Sequence, residues 1–132
     1  MDGRRATTEQ MLCLTICAYR RQGMDEEEYR KYMTEVHAPL VQGLMIRHGI
    51  DRFSMTHNPL TTRSLMSEIS DTQFSNIADY DCIVQIQFQR VEQFVALKSD
   101  PEYWQIIFAD HDKFADTKRS KWDAANPLIS RV

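Results

Sequence analysis

The 132-residue chain reads as an α+β domain of order β-α-β-β-α-β, an antiparallel sheet with two helices on one face. Three observations predict it. Apolar residues alternate with a period of two in MLCLTICAYR, DRFSMTHN and YDCIVQIQF. They recur at helical spacing through YRKYMTEVHAPLV, from Tyr29 to Val41. A second helical stretch follows the third strand, and a polar run able to form an edge strand closes the order. Its simplest packing is the ferredoxin-like one, over 11–125, with a disordered polar tail expected at 1–10 and a C-terminal tail at 126–132.

In the first strand Leu12, Leu14, Ile16 and Ala18 alternate with Cys13, Thr15, Cys17 and Tyr19. MDEEE then opens the first helix with acidic residues, which the positive end of the helix dipole favours, and Gly49 closes it after His48. At roughly 100° per residue, Tyr29, Met33, Val36, Leu40 and Leu44 form the inward stripe, with His37 at its margin. Pro39 lacks the N–H that would bond back to Glu35, which predicts a kink or restart at Ala38. The second strand puts Phe53, Met55 and His57 on one face. The connection over 59–78 has no strand pattern, carries one possible helical turn near Leu65 and Met66, and is long enough to be a lid.

The third strand aligns Tyr80, Cys82, Val84, Ile86 and Phe88 on an apolar face. In the second helix Asp100 and Pro101 cap and restart the winding, so that Trp104, Ile107, Phe108 and His111 share a side. Lysines in TKRSKWDAA suit an edge strand. The sheet face away from the helices is half apolar, which predicts pairing into a homodimer through it.

Composition narrows the function. A net charge of −3 and a pI near 5.8 supply no basic face for nucleic acid. Cys13, Cys17 and Cys82 lie inside strand-like runs, as free thiols in a reducing compartment do. The first ten residues have no signal-peptide core and no apolar run approaches the ~18 residues of a membrane helix, so a cytoplasmic protein is expected. No phosphate loop, dinucleotide fingerprint or nucleophile elbow is present, and His37, His57 and His111 lack metal-ligand spacing. His37 stands beside a carbonyl freed by Pro39, which suits a ligand-facing histidine and equally a structural one that satisfies that carbonyl. His48, next to Gly49, reads as a helix-end cation. Asp110 is expected to face solvent, because neighbouring helical residues diverge and it cannot easily pair with His111.

YRKYMTEVHAPLV resembles the signature of the EthD-type dimeric α/β-barrel family. With LTICAYRRQGMDEEEY, MTHNP, ADYDCIVQI and DHDKFADTKRS, the likeness runs from Leu12 to Ser120 and is similar to the fungal EthD-domain group of aromatic polyketide clusters. The resemblance implies decarboxylation, without metal or organic cofactor, of a flat polyketide acid such as atrochrysone carboxylic acid. It leaves open dehydration or cyclisation on the same fold, and a non-catalytic carrier of such intermediates. Imidazoles shuttle protons near neutral pH, which replacing CO₂ by a proton requires. His37 is accordingly expected as proton donor or acceptor with His111 as its partner, and His57, Tyr29 or Tyr80 as holders of substrate oxygens. Ile16, Val84, Trp104 and Phe108 are expected to line the site, with Leu14 and Ile86 beside them. The histidines converge only if Phe53 and Met55 pack beneath the helices and carry His57 with them.

Overall fold

Alternation along each strand sends one set of side chains beneath the helices. The computed structural model describes residues 11–126, in which β1 (Leu12–Ala18), β2 (Arg52–His57), β3 (Cys82–Phe88) and β4 (Lys121–Ala125) form one antiparallel sheet of order β2-β3-β1-β4. This is the ferredoxin-like arrangement. The tail at 1–10 and all of 126–132 except Asn126 lie outside the described residues. Register builds two rows across the sheet: Phe53, Ile86, Leu14 and Ala124, then Met55, Val84, Ile16 and Trp122. Such cross-strand neighbours stabilise one another and make the helix-facing side a continuous apolar floor.

The first helix begins at α1 (Glu26–Tyr32), where the Asp25 carboxylate accepts the N–H groups of Glu27 and Glu28 at 3.1 Å. It continues through a π-helical turn, Met33–His37, into α2 (Ala38–Arg47). The restart expected at Ala38 is where α2 begins, directly after the π turn and with Pro39 in its first turn. The helix takes up Pro39 by widening just upstream, where the Ala38 N–H reaches back five residues to the Met33 carbonyl. One extra residue in the turn shifts the inward face. Tyr29, Met33, His37, Val41, Leu44 and Met45 now turn toward the sheet, whereas Val36 and Leu40 are 41% and 38% exposed. Gly49, at φ 76°, ends the helix as expected.

The connection after β2 holds a short α3 (Leu60–Arg63) and a 3₁₀ turn, Ser64–Glu68, pinned where Glu26 accepts the Leu60 N–H at 3.0 Å. After β3, α4 (Val91–Ser99) leads to Asp100, whose side chain accepts the Glu102 N–H at 2.9 Å and restarts the winding. The restart is again π-helical, Tyr103–Phe108, followed by a 3₁₀ turn at His111–Lys113. The core is the layer between helices and sheet, with Tyr29, Leu44, Met45, Ile50 and Cys82 almost wholly buried. No helix of the described residues is long and apolar enough to cross a membrane.

Candidate active site

Between the two helices and the floor lies a cavity of about 300 Å³, at the small end of ligand pockets. Ile16, Phe53, Met55, Val84 and Ile86 form its base. Tyr29, Met33, His37 and Val41 overhang it from the first helix, and Leu97, Tyr103, Ile107, Phe108 and His111 from the second. No residue of the 59–78 connection lines it, so the segment expected as a lid stands elsewhere.

His37 is 8% exposed, and its Nδ1 lies 3.1 Å from Oδ2 of Asp110, itself buried. The other oxygen of Asp110 accepts a hydrogen bond from the Tyr32 hydroxyl. Asp110 therefore does not face solvent. Placing it there assumed α-helical steps, and the π turn before it rotates it onto the first helix, where it meets His37 and not His111. Burial works against the Asp110 charge, but the hydrogen bonds from Tyr32 and His37 more than offset this and hold its pKa below the ordinary value. A carboxylate there fixes the neutral His37 as the Nδ1–H tautomer and leaves Nε2 as the nitrogen free for a guest. Burial pushes the His37 pKa down, and Asp110 opposes that only in part.

His111 shares the site, its ring centroid 5.3 Å from that of His37. Burial, and then charge on His37, push its pKa down to about 4, so it is an uncharged neighbour at neutral pH. Phe114 packs against both rings, at 4.6 Å and 5.9 Å. Tyr29 lines the cavity but is 1% exposed, and its buried hydroxyl has no hydrogen-bond partner among the described residues. A buried phenol in that state favours a guest with an oxygen to offer. Burial raises its pKa and keeps it a donor.

Three expected site residues stand outside the cavity. Phe53 and Met55 pack under the helices as required, yet His57 does not line the cavity: it meets Tyr29 edge-on at 6.3 Å, with Nε2 buried and unpartnered among the described residues. Tyr80 precedes β3, which starts at Cys82, so strand parity does not extend to it; its carbonyl accepts from the Asn58 side chain at 2.9 Å. Trp104 is 50% exposed, because π winding stacks residues four apart and turns Tyr103, Ile107 and His111 inward in its place. Phe108, Ile16 and Val84 line the cavity as expected, and Leu14 lies in the core beneath. His48 stays apart, capping α2 and pairing with Asp100 at 3.0 Å.

Lys98 and Tyr103 are not marked as site residues by the sequence; Tyr32 is expected there only as a candidate donor to phenolic or quinonoid oxygens, beside Tyr29 and Tyr80, and Asp110 only as a solvent-facing neighbour of His111. Tyr32 instead donates to Asp110, a pairing across 78 residues that no local spacing signals. Among the described residues no group of three or more His, Cys, Asp or Glu is disposed to hold a metal ion.

The EthD domain model matches residues 21–118. A conidial pigment biosynthesis dehydratase of Metarhizium robertsii is 54% identical over 112 residues, covering 85% of this chain and 79% of that one. The decarboxylase AgnL1 of Paecilomyces divaricatus is 50% identical over 112 residues, covering 85% and 75%. Among solved structures, a dimeric protein of unknown function and ferredoxin-like fold from Bacteroides fragilis superposes with a TM-score of 0.59 at 9% identity, over 89% of this chain and 97% of that one.

Proposed function

The chain belongs to the EthD-domain family, and on that premise we propose that it is a lyase removing CO₂ from a flat, polycyclic, hydroxylated polyketide carboxylic acid of the atrochrysone carboxylic acid type, without metal or organic cofactor. One observation carries the reading: a neutral imidazole, clamped through Nδ1 by a buried carboxylate, faces an otherwise mostly apolar cavity. In the empty site burial keeps His37 uncharged. An entering carboxylate adds a second negative group to that of Asp110, so His37 takes a proton from water as the guest binds. The carbon–carbon bond then breaks. CO₂ leaves, and the electron pair stays on carbon, delocalised into the neighbouring carbonyl or phenol. Nε2–H of His37 delivers its proton to that carbon, and the neutral imidazole reloads from solvent. Overall, one carboxylate and one proton give one C–H bond and CO₂. The apolar walls disfavour a localised carboxylate more than the dispersed charge that replaces it. Tyr29 donates to a ring oxygen and holds the scissile carbon under His37.

Dehydration is the second reading, favoured by the Metarhizium relative. There His37 acts first as base on a carbon-bound proton. Incubating purified protein with atrochrysone carboxylic acid and following product mass separates the readings: loss of CO₂ supports the first, loss of water the second, and an unchanged mass a carrier. We assign the assembly as a homodimer paired through the sheet face away from the helices, in the cytosol, where Cys13, Cys17 and Cys82 remain the free thiols they are here.

A further inference from the structure

Lys98 is the one lysine, arginine, aspartate or glutamate among the described residues that line the cavity. It projects from the last turn of α4, and aromatic groups hold it in place. Its Nζ donates to the Tyr103 hydroxyl at 2.9 Å and stands 4.5 Å from the Tyr103 ring centroid, 5.1 Å from that of Trp122 and 6.0 Å from that of Trp104. None of the ion pairs among the described residues uses it. The ammonium is thus positioned by π faces and a phenol, with its charge left unmatched by any carboxylate among those residues. After burial and His37, Lys98 is among the charges that oppose a proton on His111, so it belongs to the same electrostatic neighbourhood as the two imidazoles.

A fixed cation on the wall of an apolar cavity attracts an anion more strongly than one in water, because little solvent screens the pair. We propose that Lys98 anchors the carboxylate of the guest and makes the cavity prefer the acid to the product that has lost it. The inference rests on the reading of the guest as an aromatic acid. It also sets an orientation, with the carboxylate toward α4 and the ring plane across Val84 and Ile16. Because the negative charge moves off the carboxyl group as CO₂ forms, the pairing is strongest before the bond breaks. Its loss therefore weakens binding without slowing the chemical step.

The test is a binding comparison read by tryptophan fluorescence, using a hydroxyanthraquinone carboxylic acid and the same hydroxyanthraquinone without its carboxyl group. Wild-type protein is expected to prefer the acid by on the order of tenfold or more, the scale of one charge-assisted hydrogen bond. Lys98→Met should abolish that preference and raise KM without lowering kcat, and Lys98→Arg should restore most of the preference. Thermal unfolding checks each variant, and Lys98→Gln serves the same comparison if the Met variant does not fold. An acid preference in Lys98→Met equal to that of wild type overturns the anchor and leaves the proposed reaction standing. Failure of both compounds to bind wild-type protein sinks the aromatic-acid reading itself, and the anchor with it.

Discussion

At neutral pH the cavity holds two imidazoles uncharged, and only one of them has a carboxylate to receive a proton's charge. Burial lowers the pKa of both His37 and His111, but Asp110 bonds His37 alone. Replacing His37 by Gln or Ala should therefore cost ~10²- to 10⁴-fold in turnover, read on whichever variant a thermal scan shows to be folded. A folded His37→Ala protein with near-wild-type turnover would return that residue to a structural role. Asp110→Asn should slow turnover and move the basic limb of the kcat profile to lower pH, since it removes the group that helps His37 keep its proton. Stability against pH has its own sign. Both histidines have folded pKa values below the unfolded one, so the unfolded chain takes up protons first and stability falls as pH drops below about 6.5, in the case of His111 until about 4. Asp110, depressed from 3.8, contributes its stability in full above that value, throughout the histidine window, and loses it only as pH falls below 3.8. His111→Leu should flatten the loss between about pH 6.5 and about pH 4 in denaturant titrations. His37 was legible because Pro39 marks its helix turn. Asp110 was not, because its direction depends on a winding that its neighbours in sequence do not announce.

Both helices owe their chemistry to a π turn. At Met33–His37 and at Tyr103–Phe108 the extra residue rotates the downstream part of the helix, bringing His37 to the middle of one inward face and Asp110 and His111 to the other. The phase shift makes a prediction that regular α-helical spacing reverses. Val36→Ser and Leu40→Ser should change stability by within about 0.5 kcal/mol, as exposed sites do, while Met33→Ala should cost ~2–5 kcal/mol. Chemical denaturation of the three variants decides it. A large loss at Val36 would restore the α-helical stripe and displace His37 from the cavity. Strand faces, by contrast, were readable residue by residue from Leu14 to Phe88, because a pleat has a period of two and no winding to alter. The exception, Tyr80, fell just outside a strand end.

Across the whole molecule, one sheet separates the cavity from an outer face carrying Thr15, Cys17, Ser54, Thr56, Ile83, Gln85 and Gln87. If that face pairs two chains, Ile83→Glu, which puts a charge opposite Cys17 and Thr56, should shift the light-scattering mass from dimer to monomer at micromolar concentration. A monomeric wild-type protein would end the argument for pairing. The order of elements and the covered face came from patterning alone. The cavity's volume and its cation did not, since they arise from which side chains meet across elements distant in sequence. The cross-strand rows carry one more consequence, for how such a protein diversifies. Val84 lies on the cavity floor, and its neighbours Ile83 and Gln85 point the opposite way. Trimming Val84 or Ile16 therefore makes room for a bulkier ring without altering the outer side of the same strand. A lineage built on this sheet is free to exchange one guest for another, one odd or even position at a time, while the surface it shows to other chains stays as it was.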